Sequence, residues 1–243
     1  MKKTYAFTDV HGQYELWKQI RDYCEEDSTI YFLGDACDRG PHSIKIIKEL
    51  LTDPRVIYLR GNHEEMLVEH VSEIMEGDMG NFHLWVSNGG NETWEELMYE
   101  KESVIREIIR KLSKLPTHAL YKSKEGRNIY LSHSGAYSPH PPQQKSKWKK
   151  LNQDELYVWD RSHLNQKKWW KTCENDYIVH GHSPVQIYFN CSLPIDYCET
   201  HKINLDIASF STYQIALLDL DTFECQIFED EKEKGNEHDE KSV

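Results

Sequence analysis

Residues 30–40 read Ile30-Tyr31-Phe32-Leu33-Gly34-Asp35-Ala36-Cys37-Asp38-Arg39-Gly40. Four large apolar residues stop at a glycine, and the chain then presents two acids and an arginine. A short apolar run bounded by a turn signal reads as a buried strand. The same grammar recurs on either side. Upstream, residues 4–8 form a strand that delivers Asp9, and helical spacing of Leu16, Trp17, Ile20 and Tyr23 follows. Downstream, residues 43–51 read as a helix behind Pro41, with Ser43 as its cap. Residues 56–59 are a third strand running into Gly61-Asn62-His63-Glu64, and residues 64–75 are helical again. Repeated strand–loop–helix units predict an α/β architecture.

Farther along, residues 81–115 are mainly helical, with a turn signal at Asn88-Gly89-Gly90. Residues 117–121 and 128–132 form a hairpin with Gly126 at its bend. A loop follows that is rich in Pro139, Pro141 and Pro142, then in Lys145, Lys147, Lys149 and Lys150; it is read as an ordinary solvated loop. Residues 177–179, 186–189, 202–205, 213–219 and 223–228 are short strand candidates. No repeat or linker divides the chain, so residues 1–228 are expected to form one domain. Residues 229–243 are acidic with almost nothing apolar to bury, which predicts a disordered tail.

The 243 residues are 38% hydrophobic and 29% charged, and no apolar run approaches the ~20 residues of a membrane-spanning helix. The apolar run after Met1-Lys2-Lys3 is cut off by Asp9 and His11, which is not the pattern of a signal peptide. Cytoplasmic localisation is expected, with no membrane partner. The formal net charge of −12 argues against a nucleic-acid-binding surface, which rewards basic patches. The six cysteines form no Cys-x-x-Cys pair and read as free thiols. A zinc shared by Cys191 and Cys198 has no second ligand pair nearby.

Five segments place potential metal ligands directly after an apolar strand. They are Asp9-Val10-His11-Gly12, Gly34 to Gly40, Gly61-Asn62-His63-Glu64, His133-Ser134-Gly135 and His180-Gly181-His182. Ligands bind outside the carboxyl ends of strands in open α/β sheets, so these segments can converge. Singly, each has a bland reading: Asp9 as a turn residue, Asn62 as a helix cap, His133 as a hydrogen-bonded core histidine. Together their mixed oxygen and nitrogen donors suit Mn²⁺, Fe or Zn²⁺.

The series Asp-x-His-Gly, Gly-Asp-x-x-Asp-Arg-Gly, Gly-Asn-His-Glu, His-x-Gly and Gly-His resembles the calcineurin-like metallophosphoesterases. It looks most like their phosphoprotein phosphatase branch, which includes the bacterial and bacteriophage lambda serine/threonine phosphatases. The resemblance covers residues 4–221. It departs at Thr8, where the family usually has glycine; this is expected to touch the turn and not a ligand.

The resemblance implies a four-layer α/β/β/α sandwich, two mixed β-sheets flanked by helices. It implies two divalent ions, expected to be Mn²⁺ with Fe or Zn²⁺ as alternatives. Asp9 and His11 would hold the first, Asp35 would bridge, and Asn62, His133 and His182 would complete the second. His63 matches the general acid, oriented by Asp38. Arg39 matches a phosphate-binding arginine, and Arg161 in Trp159-Asp160-Arg161 resembles another; Asn62 also faces the phosphate, and Arg60 is a weaker candidate.

The implied activity is hydrolysis of phosphomonoesters by in-line attack of a metal-bridging hydroxide, on phosphoserine and phosphothreonine of a phosphoprotein or phosphopeptide. The chain is expected to act as a monomer. The alternative is a nucleotide hydrolase similar to the symmetrical diadenosine tetraphosphatases. Those relatives often lack an aspartate where Asp38 stands, which leans the reading away from them. His180 is expected to support the ligands from behind or to be structural. Cys37 either packs or, ionised near metals and arginine, makes the site sensitive to oxidation.

Overall fold

The computed structural model describes residues 2–135, 153–165, 176–196 and 201–231. Ten strands and nine α-helical segments run in the order β1 (Thr4–Phe7), α1 (Tyr14–Tyr23), β2 (Thr29–Phe32), α2 (Ser43–Leu50), β3 (Val56–Tyr58), α3 (Asn62–Met75), α4 (Phe82–Trp85), α5 (Asn91–Met98), α6 (Glu102–Leu112), β4 (His118–Lys122), β5 (Asn128–Ser132), α7 (Gln153–Trp159), β6 (Asp176–His180), α8 (Val185–Phe189), β7 (Ile195–Asp196), β8 (Lys202–Asn204), α9 (Ser209–Thr212), β9 (Gln214–Asp219) and β10 (Cys225–Glu229) among the described residues. A kinked turn, Val86–Gly90, with Gly89 at φ 96°, joins α4 to α5.

The strands form two mixed sheets flanked by helices, ordered β10-β9-β1-β2-β3 and β4-β5-β6-β8-β7. In the first, β1, β2 and β3 are parallel, while β9 and β10 are antiparallel. In the second, β5, β6 and β8 are parallel, with β4 and β7 antiparallel at the edges.

Period-two alternation decides which layer each residue enters. Tyr5 and Phe7 face the helices and pack with Leu16, Trp17 and Ile20 of α1 and Ile44, Ile46 and Ile47 of α2. Ala6 faces the other way and joins Tyr31, Leu33 and Leu218 against Ile129, Leu131 and Val179 of the second sheet. Trp17 stacks on Phe7 with ring centroids 5.6 Å apart, and its indole N–H donates to Glu49 Oε2 at 2.9 Å. Removing that ring would cost about 3–5 kcal/mol by cavity formation.

The register places the ends of six parallel strands at one edge of the molecule. Beyond β1 and β2 the loops stay paired, since the Asp9, His11 and Gly12 N–H groups donate to Gly34 O, Asp35 O and Ala36 O at 2.9–3.0 Å. A Cβ on Gly34, which has φ +103°, would lie 2.5 Å from Gly61 N, so the second and third loops touch backbone to backbone.

Three expectations need correction, and the alternative reading of Asn62 as a helix cap also falls. Residues 186–189 are helical, not a strand: Pro184 presets φ at −53° at the N-cap, and Asn190 at φ 50° ends the single turn. Ser43 lies inside α2 behind His42, and its hydroxyl instead accepts the Asp38 N–H at 3.0 Å. Asn62 does not cap α3; Gly61 holds that place, with the Glu64 carboxylate accepting the Gly61 N–H at 2.7 Å. The boundary after Phe228 falls short, because Glu229 pairs with Gln214 and Asp230 N–H donates to Tyr213 O at 2.9 Å. The proline- and lysine-rich loop of residues 139–150 and the tail from residue 232 lie outside the described residues.

Candidate metal centre

Asp9 and His11 follow β1, Asp35, Asp38 and Arg39 follow β2, and Asn62 and His63 follow β3. From the second sheet, His133 follows β5 and His182 follows β6. The structure brings all nine together, each buried or nearly so except Arg39.

Each metal-type carboxylate uses one oxygen for the scaffold and turns the other inward. Asp9 Oδ2 accepts the His182 N–H at 3.0 Å and the Thr8 hydroxyl at 2.5 Å. Thr8 therefore does touch a candidate ligand, contrary to the expectation that it affects only the turn. Asp35 Oδ1 accepts the His63 N–H at 3.0 Å. Asp35 Oδ2 then lies 3.7, 3.8 and 3.3 Å from Nε2 of His11, His63 and His133. It is shared by two groups of donor atoms, His11–Asp35–His63 and Asp35–His133–His182, each within 4.8 Å.

Hydrogen bonds to carbonyls fix the imidazole tautomers. His11 Nδ1–H donates to Cys37 O at 2.8 Å and His133 Nδ1–H to Leu33 O at 2.9 Å, so both turn Nε2 inward. His133 Nε2 there faces two acceptors, Asn62 Oδ1 at 2.9 Å and Asp35 Oδ2 at 3.3 Å. Three lone pairs cannot meet in a dry interior unless a proton or a cation lies among them. Burial alone would lower the His133 pKa, but the Asp35 carboxylate raises it to about 9.

Burial, with Arg39 nearby, holds His11 well below the usual imidazole value; burial, with His133 and Arg161, does the same for His182. Both are then in the neutral form that ligates metals. Among the described residues, His182 Nε2 is buried without a hydrogen-bond partner. Donors sharing a cation at bonds of about 2.1 Å lie roughly 3.0–3.4 Å apart, close to the separations around Asp35. The donor set fits divalent cations.

Asp38 sits at the back. Its Oδ2 accepts His63 Nδ1–H at 2.7 Å and the Trp85 indole N–H at 3.0 Å, and its Oδ1 accepts the Thr93 hydroxyl at 2.8 Å. Arg39 caps the cluster from solvent, with Nη1 2.7 Å from His11 Nε2 and Nη2 2.8 Å from His63 Nε2. Arg161 approaches from the other side, its Nη2 3.3 Å from His182 O and its Nε 3.3 Å from Ser183 Oγ. Arg60 is not brought in by any described contact; its N–H donates to Pro116 O at 2.8 Å. His180 is buried, with Nδ1 2.9 Å from Gly181 O, as expected of a structural residue. Cys37 is fully buried, and burial, with Asp38 and Glu64 nearby, pushes its thiol well above the usual value. Of the two readings of Cys37, this burial favours packing.

Sequence reasoning missed four contributors. Glu64 accepts N–H groups of Asp35, Ala36 and Gly61 at 2.6–2.8 Å; a Glu three residues after the N-cap is the half of a capping box that a glycine N-cap allows. Asp206 is buried, and burial, with the Asp9 charge, raises its pKa well above the usual value. It follows β8 as the five chosen segments follow their strands, so the same rule could have found it. Trp85 and Thr93 gave no signal, because their link to Asp38 spans 47 and 55 residues.

A family model for calcineurin-like phosphoesterases matches residues 2–209. A symmetrical bis(5'-nucleosyl)-tetraphosphatase of Buchnera aphidicola subsp. Acyrthosiphon pisum (strain 5A) is 27% identical over 136 residues, 54% of this chain and 44% of that protein. The chain thus matches under half the length of that relative. An asymmetrical bis(5'-nucleosyl)-tetraphosphatase PrpE of Halalkalibacterium halodurans is 26% identical over 200 residues, 73% of this chain and 77% of the relative. The solved structure of a protein serine/threonine phosphatase from Saccharomyces cerevisiae shares the fold, with TM-score 0.57, 14% identity and 94% and 80% of the two chains covered.

Proposed function

The chain belongs to the calcineurin-like phosphoesterase family, and on that premise we propose that it is a metal-dependent phosphatase of phosphomonoesters, with protein phosphoserine and phosphothreonine as its substrate class. Asp9, His11, Asp35, Asn62, His133 and His182 would hold two divalent ions, Mn²⁺ in the first instance. Such ions supply a water-derived nucleophile near neutral pH and offset charge on the phosphoryl oxygens.

The protein's own groups do the rest. Arg39 and Arg161 flank the cluster and receive phosphate oxygens, for which a planar guanidinium fork is the better match than a lysine. Asp38 accepts the His63 Nδ1–H at 2.7 Å and so orients the ring, and His63 is the group that gives a proton to the departing serine or threonine oxygen. A positioned acid of this kind contributes ~10²–10⁴-fold.

The observation that carries this reading is the 2.7 Å His63–Asp38 pair, whose imidazole also lies 3.8 Å from Asp35 Oδ2. A dinucleoside polyphosphate hydrolase is the second reading, favoured by the names of the two curated relatives. The test is turnover by the Mn²⁺-loaded protein of a phosphoserine peptide, p-nitrophenyl phosphate and diadenosine tetraphosphate. Faster peptide turnover is the expected result, preference for the dinucleotide selects the second reading, and no turnover of any refutes both. No helix among the described residues is long and apolar enough to cross a membrane; a monomer acting in the cytoplasm is part of the proposal.

A further inference from the structure

We propose that Phe210 is a positioning residue for Arg39, fixing the guanidinium plane for phosphate; the inference rests on the phosphatase reading above. Phe210 lies on α9 with its ring centroid 4.7 Å from Arg39 Cζ, and it meets the His11 ring edge-on at 5.7 Å. It is only partly buried and belongs to none of the three hydrophobic clusters, so burial in a core does not account for its place.

The Val86–Gly90 turn also meets Arg39. Gly89 O accepts the Arg39 N–H at 2.8 Å, and a Cβ on Gly89 would lie 2.7 Å from Arg39 Cγ. The base of the side chain is thus held by Gly89, and its charged end meets Phe210 as well as the His11 and His63 ring nitrogens.

α9 is itself pinned. The Ser209 hydroxyl donates to Asp9 O, and the Ala208 N–H donates to Asp206 Oδ1 at 2.9 Å. Ala208 and Tyr213, at either end of the turn, have φ of 57° and 52°. Non-glycine residues keep that conformation only where their surroundings impose it. A flexible arginine must otherwise be ordered when phosphate arrives, and stacking on a fixed ring does this beforehand.

The test uses the Mn²⁺-loaded full chain, with inorganic phosphate binding measured by calorimetry and p-nitrophenyl phosphate kinetics alongside. Phe210→Leu is expected to weaken phosphate binding and raise KM by roughly 2–30-fold, with kcat moving less and metal content and melting temperature unchanged. Phe210→Tyr, which keeps the ring face, is expected to bind phosphate as the parent does. In an Arg39→Met background, which has no cation to place against the ring, Phe210→Leu should add little further loss, because both act through one group.

Parent-like phosphate binding by Phe210→Leu overturns the proposal. So does a full additional loss in the Arg39→Met background, or a loss tracking lowered melting temperature that Phe210→Tyr does not restore. A parent protein that neither binds phosphate nor turns over any ester refutes the phosphatase reading itself, and this inference with it.

Discussion

Glu64→Gln is the substitution whose effect follows most directly from the structure. Glu64 is fully buried, and its two oxygens accept from four donors. Oε2 takes the N–H groups of Asp35 at 2.8 Å and Gly61 at 2.7 Å; Oε1 takes the Ala36 N–H at 2.6 Å and the Tyr58 hydroxyl at 2.9 Å. An amide in place of the carboxylate offers one accepting oxygen. The least costly arrangement puts the new NH₂ beside Tyr58, whose hydroxyl can turn to accept, and orphans only the Ala36 N–H. That orphan costs about 1–3 kcal/mol, and the other three contacts each lose about 1 kcal/mol of charge assistance. Relief from burying a charge offsets part of this, leaving a net loss of about 2–5 kcal/mol. A chain of this size should then melt roughly 4–20 °C lower. Urea denaturation with a chelator present measures the change without metal binding adding stability by mass action. A Gln variant within about 1 kcal/mol of the parent would mean that Glu64 is not the brace joining the second and third loops.

Trp85→Phe removes the indole donor to Asp38 and leaves the His63 contact alone; kcat should fall by up to about tenfold at unchanged metal content, and equal kcat would show that the indole does not help orient the pair. Gly181→Ala would place a Cβ 2.0 Å from Asp9 Oδ2 and 2.3 Å from Thr8 Oγ1; metal analysis after gel filtration should find less bound metal than in the parent, and full occupancy would contradict the site. Burial raises the Glu96 carboxyl to about 7, even though the Ile44 N–H donates to it at 3.2 Å. The native state therefore keeps a proton that the unfolded chain gives up near pH 4.5, so the stability from this group is complete below that pH and is lost as pH rises through about 7. The loss would be about 3 kcal/mol for an enclosed group and about 1 kcal/mol given its exposed part; urea midpoints at pH 5 and pH 8 should differ less in Glu96→Gln than in the parent.

The residues that gather at the sheet edge were readable because strand ends announce themselves locally. An apolar run, a glycine and then Asp, Asn or His places a donor at the end of β1, β2, β3, β5 or β6 without any knowledge of tertiary structure. The groups that hold those donors were harder to read. Trp85 and Thr93 reach Asp38 only because α4 and α5 fold back behind the β2 loop, and nothing near either residue marks it as a partner. The helix at Val185–Phe189 was hidden for a different reason. One turn cannot display a helical period, and its exposed Ile187 mimics the alternation of an edge strand. Asp206 was passed over although it obeys the same rule as the others.

Backbone strain shows why side chains, and not only glycines, occupy the turns. Asp9, His11, Asp35, Asp38, Arg39 and His182 all have φ between 42° and 68°, where an L-residue loses roughly 1–2 kcal/mol. Glycine would remove that cost at every one of these positions, but it has no donor atom to turn inward. Glycine appears instead where two loops come into backbone contact, as at Gly34 against Gly61. The strained residues are held by the bonds described above: the Asp9, His11 and Gly12 amides on the β2 loop, the Glu64 carboxylate beneath Asp35, and Thr93 and Trp85 on Asp38. Binding geometry is thus stored in the loops by interactions that never touch a ligand, and the same bonds oppose collapse of the site into an unstrained, donor-poor form.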